Sequence, residues 1–329
     1  MIKFPLSPRS ILYAPMEGIT DEVFRLAVLK CYPEWDYVAT DFLRVPASGY
    51  YPKKHIIDHI GKSILENEPF KKKTIYQILT SEKSHTIETL ETIQECELNW
   101  IDLNLGCPSR TVNTHGGGAF LLQDLVVLKK IIQTIRQTFP HIFTAKIRLG
   151  YRDDKNFEDI IQLLCDEGVN AITIHARTRD QLYHGIADWS YIQKAVKISS
   201  VPIIGNGDIW NIADIEKIFD FTGCHSVMIA RGALKTPWLA SLYKNKIQDG
   251  HDLRCFEIQR FFSMLSDGFL SQGLSEQSCL KRLKSVCRYM FDDLPQGQAK
   301  KRGLLLSKNL CDFNKLLKDI SFIKIEKSA

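Results

Sequence analysis

Asp102-Leu-Asn-Leu-Gly-Cys-Pro-Ser-Arg-Thr-Val-Asn-Thr-His-Gly-Gly-Gly-Ala119 is the stretch on which the reading of this chain turns. Trp100 to Leu103 alternates apolar and polar residues, as the end of a buried strand does. Gly106 and Pro108 then break the strand and expose Cys107 between them. Three glycines follow and lead into an apolar helical run, Phe120 to Thr138. A strand, a Gly/Pro turn and a helix make one βα unit, and enzymes built from such units place their chemistry at the C-terminal ends of the strands. Cys107 stands at such an end. The competing reading is a structural turn around a small buried thiol. Gly116 to Gly118 would let the backbone approach a flat ligand or another chain without Cβ interference.

Seven more short apolar runs surround this unit: Ile11–Pro15, Tyr37–Thr40, Lys73–Leu79, Phe143–Arg148, Ala171–His175, Val201–Gly205 and Ser226–Ala230. Helical patterns lie between them at Glu22–Lys30, Ser84–Glu95, Asn156–Glu167, Trp189–Ile198 and Asn211–Phe219. Mostly continuous apolar strands alternating with helices predict a parallel sheet. Eight such units fit a (β/α)8 TIM barrel, which takes about 250 residues; an open doubly wound sheet is the alternative. Polar residues close nearly every strand (Met16, Arg44, Gln77, Asn104, Lys146, His175, Asn206 and Arg231), and a ring of that kind belongs at the mouth of a barrel. After Pro237 the pattern is helical throughout, with runs at Cys255–Phe269, Ser278–Phe291 and Lys300–Leu317. The expected organisation is a barrel over residues 1–243 and a small all-helical C-terminal domain of four helices over 244–329.

Charge follows the same division. From Lys244 onward 16 Lys/Arg face 10 Asp/Glu, whereas the rest of the chain carries 27 against 28. The basic excess of the C-terminal part points to a polyanionic partner there, with a solvated surface as the plain alternative. The nine cysteines are odd in number and show no CxxC spacing, so neither a disulfide framework nor a zinc or iron–sulfur site is expected. Reduced thiols, no leader-like N-terminus and no long apolar run predict a cytoplasmic protein without a membrane span.

The chemistry gathers at the strand ends. Asn206-Gly-Asp-Ile209 follows the seventh strand and Ala230-Arg-Gly-Ala233 the eighth, the two loops that in barrels commonly hold a phosphate. Arg231 adds a charged fork. Lys146 and Arg148 end the fifth strand, and one of them is expected to face the mouth. A lysine there needs an electron-rich partner, either a flavin ring or a carbonyl with which it forms a Schiff base. His175 and Gln77 read as ligand contacts or as satisfied core groups. No GxGxxG follows a strand, so a dedicated nicotinamide-binding Rossmann domain is not expected.

Ala14-Pro-Met-Glu-Gly-Ile-Thr-Asp21, Asp102–Pro108, Lys146-Ile-Arg-Leu-Gly150, His175-Ala-Arg-Thr178, Asn206–Ile209 and Ala230–Ala233 occur in the order found in the flavin-dependent tRNA-dihydrouridine synthases, which this chain resembles over essentially its whole length. Ala176 and Ala230 stand where that family usually has Gly. The resemblance implies FMN in the barrel, NADPH or NADH as reductant, and tRNA held by the helical domain. It implies FMN contacts at Ala14, Pro15, Met16, Gln77, Lys146 and His175, and a phosphate site at Asn206, Gly207, Asp208, Ala230 and Arg231. Asn104 and Arg148 then face the flipped uridine, with Cys107 its proton donor. Thr40-Asp-Phe-Leu-Arg-Val45 and the Met-Glu-Gly opening look most like the branch that modifies uridine 16, and Arg44, Tyr183, Arg282 and Lys284 resemble RNA contacts. No metal is implied, and a monomer is expected. Two other classes fit parts of the pattern: an FMN barrel oxidoreductase acting on a small pyrimidine, and a non-catalytic RNA-binding barrel.

Overall fold

The computed structural model describes residues 4–321. Its contacts divide the chain into two compact units, Met1–Glu22 with Asp36–Ala230, and Val23–Trp35 with Arg231–Ala329.

The first unit is a closed parallel barrel. The strands are β1 (Ser10–Tyr13), β2 (Tyr37–Ala39), β3 (Leu43–Arg44), β4 (Thr74–Leu79), β5 (Trp100–Leu105), β6 (Ile142–Arg148), β7 (Ala171–His175), β8 (Ile203–Asn206) and β9 (Ser226–Ile229). Each pairs with its neighbour from β4 round to β9, β9 pairs with β1 and β1 with β2, and β2 closes the ring on β4 through Val38↔Thr74 and Ala39↔Ile75. The closure excludes the open-sheet alternative. The short β3 pairs with β4 through Leu43↔Ile78 and Arg44↔Leu79. Three residues lie between Ala39 and Leu43 where two lie between their partners Ile75 and Ile78, so β2 and β3 form one barrel stave with a bulge between them. Thr40 fills the bulge, its Oγ1 accepting from the Gln77 N–H at 2.9 Å.

Residues on the inner face pack as layers. Leu12, Ala39, Ile75, Trp100, Ala171, Ile204 and Met228 fill the lower barrel, with Leu6, Phe4 and Tyr37 sealing the bottom. Phe4 and Tyr37 both lean on the Trp100 ring, at centroid distances of 5.6 and 4.8 Å. An apolar floor leaves the polar residues only the upper end, so the strand alternation itself separates stability from chemistry.

The structure departs from the sequence expectation in three connections. Between β3 and β4 lie the helices Lys53–Ile60, Lys62–Leu65 and Glu68–Lys72, which the sequence pattern did not predict. The run Phe120–Thr138 is two elements, a 3-10 helix Gly118–Gln123 and an α-helix Leu125–Thr138. Asp124 separates them because its carboxylate caps the second, accepting from Val126 and Val127 N–H at 3.0 Å each. The run Lys300–Leu317 is likewise divided, into Gly297–Leu306 and Leu310–Lys318, by the Asn309 cap.

The second unit is helical. Val23–Trp35, which holds all but the first residue of the helix Glu22–Cys31, groups with the C-terminal helices Arg231–Lys235, Leu239–Asn245, His251–Ser271, Glu276–Cys287, Gly297–Leu306 and Leu310–Lys318. Phe24 meets Phe261 edge to face at 5.4 Å, and Trp35 Nε1 donates to Pro237 O at 2.7 Å. A Cβ at Gly268 would lie 2.7 Å from Val23, so the glycine sets how closely those two helices approach. Lys244 lies within Leu239–Asn245, inside this unit. No helix among the described residues is long and apolar enough to cross a membrane.

Candidate active site

A buried polar chain crosses the barrel just above the apolar floor. Trp100 Nε1 donates to Thr144 Oγ1 at 3.1 Å, and Thr144 Oγ1 donates to Asp102 Oδ1 at 2.7 Å. Gln77 Nε2 donates to Asp102 Oδ2 at 2.7 Å, and Asn104 Nδ2 donates to Gln77 Oε1 at 2.8 Å. Asn104 Oδ1 then accepts the backbone N–H groups of Gly106 (3.1 Å) and Cys107 (2.9 Å). Register brings these groups together: Gln77 pairs with Asp102, Asp102 with Thr144 and Asn104 with Lys146, so all share the inner face. Every link has a donor facing an acceptor, the condition for burying polar groups without penalty.

The cysteine turn is fixed from several sides. Asn113 Nδ2 donates to Cys107 O at 3.1 Å and to Ser109 O at 2.6 Å. Arg148 Nε donates to Gly106 O at 2.9 Å, while Arg148 Nη1 reaches Thr178 O and Leu182 O at 2.8 and 2.7 Å. Cys107 is 8% exposed and packs against Leu79, Val112 and Phe42. Burial pushes its thiol up, with a smaller push from the Glu17 charge, opposed first by the Ser109 backbone N–H and then by the Arg148 and Arg44 charges. The glycines behind it serve packing. At Gly118 (φ +61°) a Cβ would meet Val112 Cγ1 at 2.9 Å and Cys107 Cβ at 3.2 Å, and at Gly117 it would meet Leu79 and Thr80 O at 3.0 Å. Of the three, Gly116 alone has open space around it.

Lys146 and Arg148 are two residues apart on β6 and therefore share one face, rather than dividing between the mouth and the outside. Lys146 is half-buried, and its Nζ donates to Asn206 Oδ1 at 3.3 Å. Burial first, and then the Arg148 charge, pull it down to about 8, against smaller opposing effects of Asp102 and Cys107. Arg148 is buried and is drawn down to about 10, mainly by burial. Its guanidinium lies 5.4 Å from the centroid of the Tyr183 ring, which is half exposed. His175 is buried between Arg177 Nη1 at 3.4 Å and the Tyr183 ring at 6.2 Å.

The β8 loop is held by an ion pair not singled out from the sequence. Arg177 Nη2 meets Asp208 Oδ2 at 2.5 Å, and Arg177 also donates to His184 O and Gly185 O. The same Asp208 oxygen accepts the Ala187 N–H at 2.8 Å. Gly207 sits at φ +115°, where a Cβ would press on Ala187 and the His175 ring. Asn206 Nδ2 donates to Met228 O at 2.6 Å, tying β8 to β9. Ala230 ends the barrel unit and Arg231 opens the helix Arg231–Lys235. At the first strand end Ala14 is buried, Pro15 and Met16 are half-buried, and the Met16 backbone is locked to Thr20 Oγ1 in both directions. Arg44 borders a cavity of about 630 Å³ beside the cysteine turn, shared with Leu79, Thr80, Val112, Gly117 and Phe120, and donates to Thr111 O at 3.3 Å.

In the helical unit, Arg282 lies 5.6 Å from the centroid of the Phe269 ring and Lys284 Nζ donates to Ser307 O at 2.5 Å. Both are half-buried, while Lys281 and Arg288 on the same stretch are exposed. Asp102, Thr144, Asn113 and Arg177 are the site residues that the sequence reading missed. Asp102 and Arg177 lie inside recognisable motifs, yet nothing in their spacing announces a hydrogen-bond partner far along the chain.

A parallel barrel whose strand ends carry a thiol, a lysine of lowered pKa and the glycine-bearing loop after β8 has these groups at the end where TIM-barrel enzymes place their catalysis. Residues 12–302 match the family model described as dihydrouridine synthase (Dus), and the chain belongs to that family. It is 36% identical to the tRNA-dihydrouridine(16) synthase of Cupriavidus necator, over 70% of this chain and 72% of that one. The protein of that name from Shewanella oneidensis is 34% identical, over 71% and 75%. The one from Neisseria meningitidis serogroup B is 29% identical, over 89% of each chain.

Proposed function

We propose that this chain reduces a D-loop uridine of tRNA, uridine 16, to 5,6-dihydrouridine, with FMN as cofactor and NADPH as reductant, acting as a cytoplasmic monomer. Membership of the dihydrouridine synthase family supports the reaction, and the relatives named for position 16 support the site. The mouth residues fit a flavin mononucleotide. Lys146 lies near the end of β6 at the mouth, and its hydrogen-bond partner among the described residues is a neutral amide, which leaves its charge to meet an electron-rich ring. Ala14, Pro15, Met16, Gln77, Lys146 and His175 would line the ring system; Asn206, Gly207, Asp208, Ala230 and Arg231 would hold the phosphate. When bound, FMN supplies a hydride from N5 to uracil C6, with NADPH as the source of the electrons.

This chain's own residues would do the rest. A base inside a folded tRNA must be extruded to reach the mouth. Cys107 would donate the proton to C5, and its raised pKa keeps the thiol protonated at neutral pH. Lys146 would offset negative charge on the reduced ring. Asn104, Arg148, Arg44 and Tyr183 would position the extruded nucleotide from the barrel, and Arg282 and Lys284 would contact RNA from the helical domain, residues 244–329. The observation that carries the reading is the cysteine turn itself, held at Gly106 and Cys107 by two side chains of the barrel mouth, Asn104 and Arg148.

The test uses purified protein. It should be yellow, be bleached by NADPH, and be reoxidised by undermodified tRNA, with dihydrouridine mapping to position 16. Reoxidation by a free pyrimidine instead would make it a small-molecule oxidoreductase, and colourless protein that retards tRNA would make it a binder. Dihydrouridine appearing at another D-loop position would overturn the assignment to uridine 16.

A further inference from the structure

We infer that Asp102 is a positioning residue for Cys107, acting through the amides of Gln77 and Asn104 as a relay with a fixed polarity. The inference deepens the proposed function and rests on Cys107 being the proton donor. Burial raises the Asp102 pKa, and the Gln77 and Thr144 donors and the Lys146 charge oppose that rise and favour the carboxylate. A carboxylate only accepts hydrogen bonds, whereas a carboxamide presents one accepting and one donating end. Asp102 Oδ2 therefore admits only the NH2 end of Gln77, which turns the Gln77 carbonyl toward Asn104. That carbonyl admits only the NH2 end of Asn104, which turns the Asn104 carbonyl onto the Gly106 and Cys107 N–H groups. One acceptor on β5 thus decides which way two amides face and whether the turn bearing the thiol is held. The other oxygen of Asp102 is occupied by Thr144, itself held by Trp100, so the carboxylate cannot rotate away without breaking a buried bond. Asp102 and Gln77 are 1% and 0% exposed, so water does not replace a lost partner.

The relay makes a prediction that simple packing does not. D102N presents a donor to the Gln77 NH2, and the Thr144 hydroxyl can still bond the remaining oxygen. Gln77 must then invert, which sets two NH2 groups against each other at Asn104 unless Asn104 releases the turn. Q77E alone removes the donor and sets two carboxylates face to face. In D102N/Q77E the carboxylate has moved one place along. The amide now at position 102 donates to the carboxylate now at position 77, and that carboxylate accepts from Asn104 in the native sense. The readout is the rate at which iodoacetamide labels Cys107, followed by peptide mass spectrometry in the full-length protein, with thermal unfolding as the control for folding. Each single variant should label Cys107 faster, on the order of tenfold, because the released turn exposes a thiol that is now nearly covered. The double variant should return the rate close to the parental value. Should a single variant fail to fold, recovery of both folding and slow labelling in the double variant carries the same conclusion. A double variant that labels as fast as the singles, or faster, overturns the relay, and so does parental labelling in both single variants. Labelling does not depend on RNA turnover: if the parental protein reduces no tRNA, the proposed function fails while the relay is still tested.

Discussion

Cys107 and Lys146 titrate in opposite directions from their usual ranges, and both shifts begin with burial. For Cys107 the consequence is a thiol that holds its proton at neutral pH. C107A is expected to bind FMN and to be reduced by NADPH as the parent is, while the rate of dihydrouridine formation falls by a factor on the order of 100 or more. Single-turnover reoxidation by tRNA measures this, and a parental rate would remove Cys107 from the chemistry. For Lys146 the sign works the other way. Below pH about 8 it is charged in both the folded and unfolded chain. Between there and about 10.4 only the unfolded chain keeps the proton, so this residue makes stability rise with pH across that window. Urea unfolding of flavin-free protein should show the parent gaining stability over K146M between pH about 8 and about 10, and a constant difference would contradict the lowered pKa. The residue types at this scale were legible in the motifs. Which neighbours shift them was not, because Arg148 and Asp102 act on Lys146 through space inside a closed ring.

Elements meet the site through their ends and turns. The 3-10 helix that follows the cysteine turn packs so closely that Gly118 has no room for a methyl group and also holds a left-handed φ. G118A should lower stability by roughly 1–3 kcal/mol and disturb Cys107 directly, visible as a lower Tm together with faster thiol labelling. Asp124 caps the next helix, so D124A should cost about 1 kcal/mol while leaving Cys107 labelling unchanged. In sequence these glycines suggest an opening for a ligand. The structure gives two of the three to packing around the turn, a distinction that depends on Val112, Leu79 and Thr80 folding back against them. In the helical unit, R282A/K284A should weaken tRNA binding and flatten its salt dependence, each lost phosphate contact removing about one unit of slope. Because Lys284 also bonds the carbonyl of Ser307, the variant's Tm must be followed alongside its retardation at several salt concentrations.

At the scale of the whole molecule, closure brings distant strand ends within hydrogen-bond reach. The Arg177–Asp208 pair joins the loop after β7 to the loop after β8, and both partners sit among backbone donors and acceptors. Removing one partner strands a buried charge, so D208A should destabilise the barrel by about 3–5 kcal/mol in denaturant unfolding, far more than a surface ion pair would. The alternation of eight apolar strands with helices, the polar residues at nearly every strand end and the helical, basic C-terminal stretch follow from sequence alone, because periodicity and local charge are properties of contiguous residues. The family motifs were legible for the same reason. Tertiary structure alone decided that β2 closes on β4 across a bulge. It also decided that Lys146 and Arg148 face the mouth together, and that Asp102, Gln77 and Asn104 form one polar chain ending on the Cys107 turn. Those facts depend on register between strands whose partners lie tens of residues apart, and register is set when the whole ring packs, not by any one segment of it.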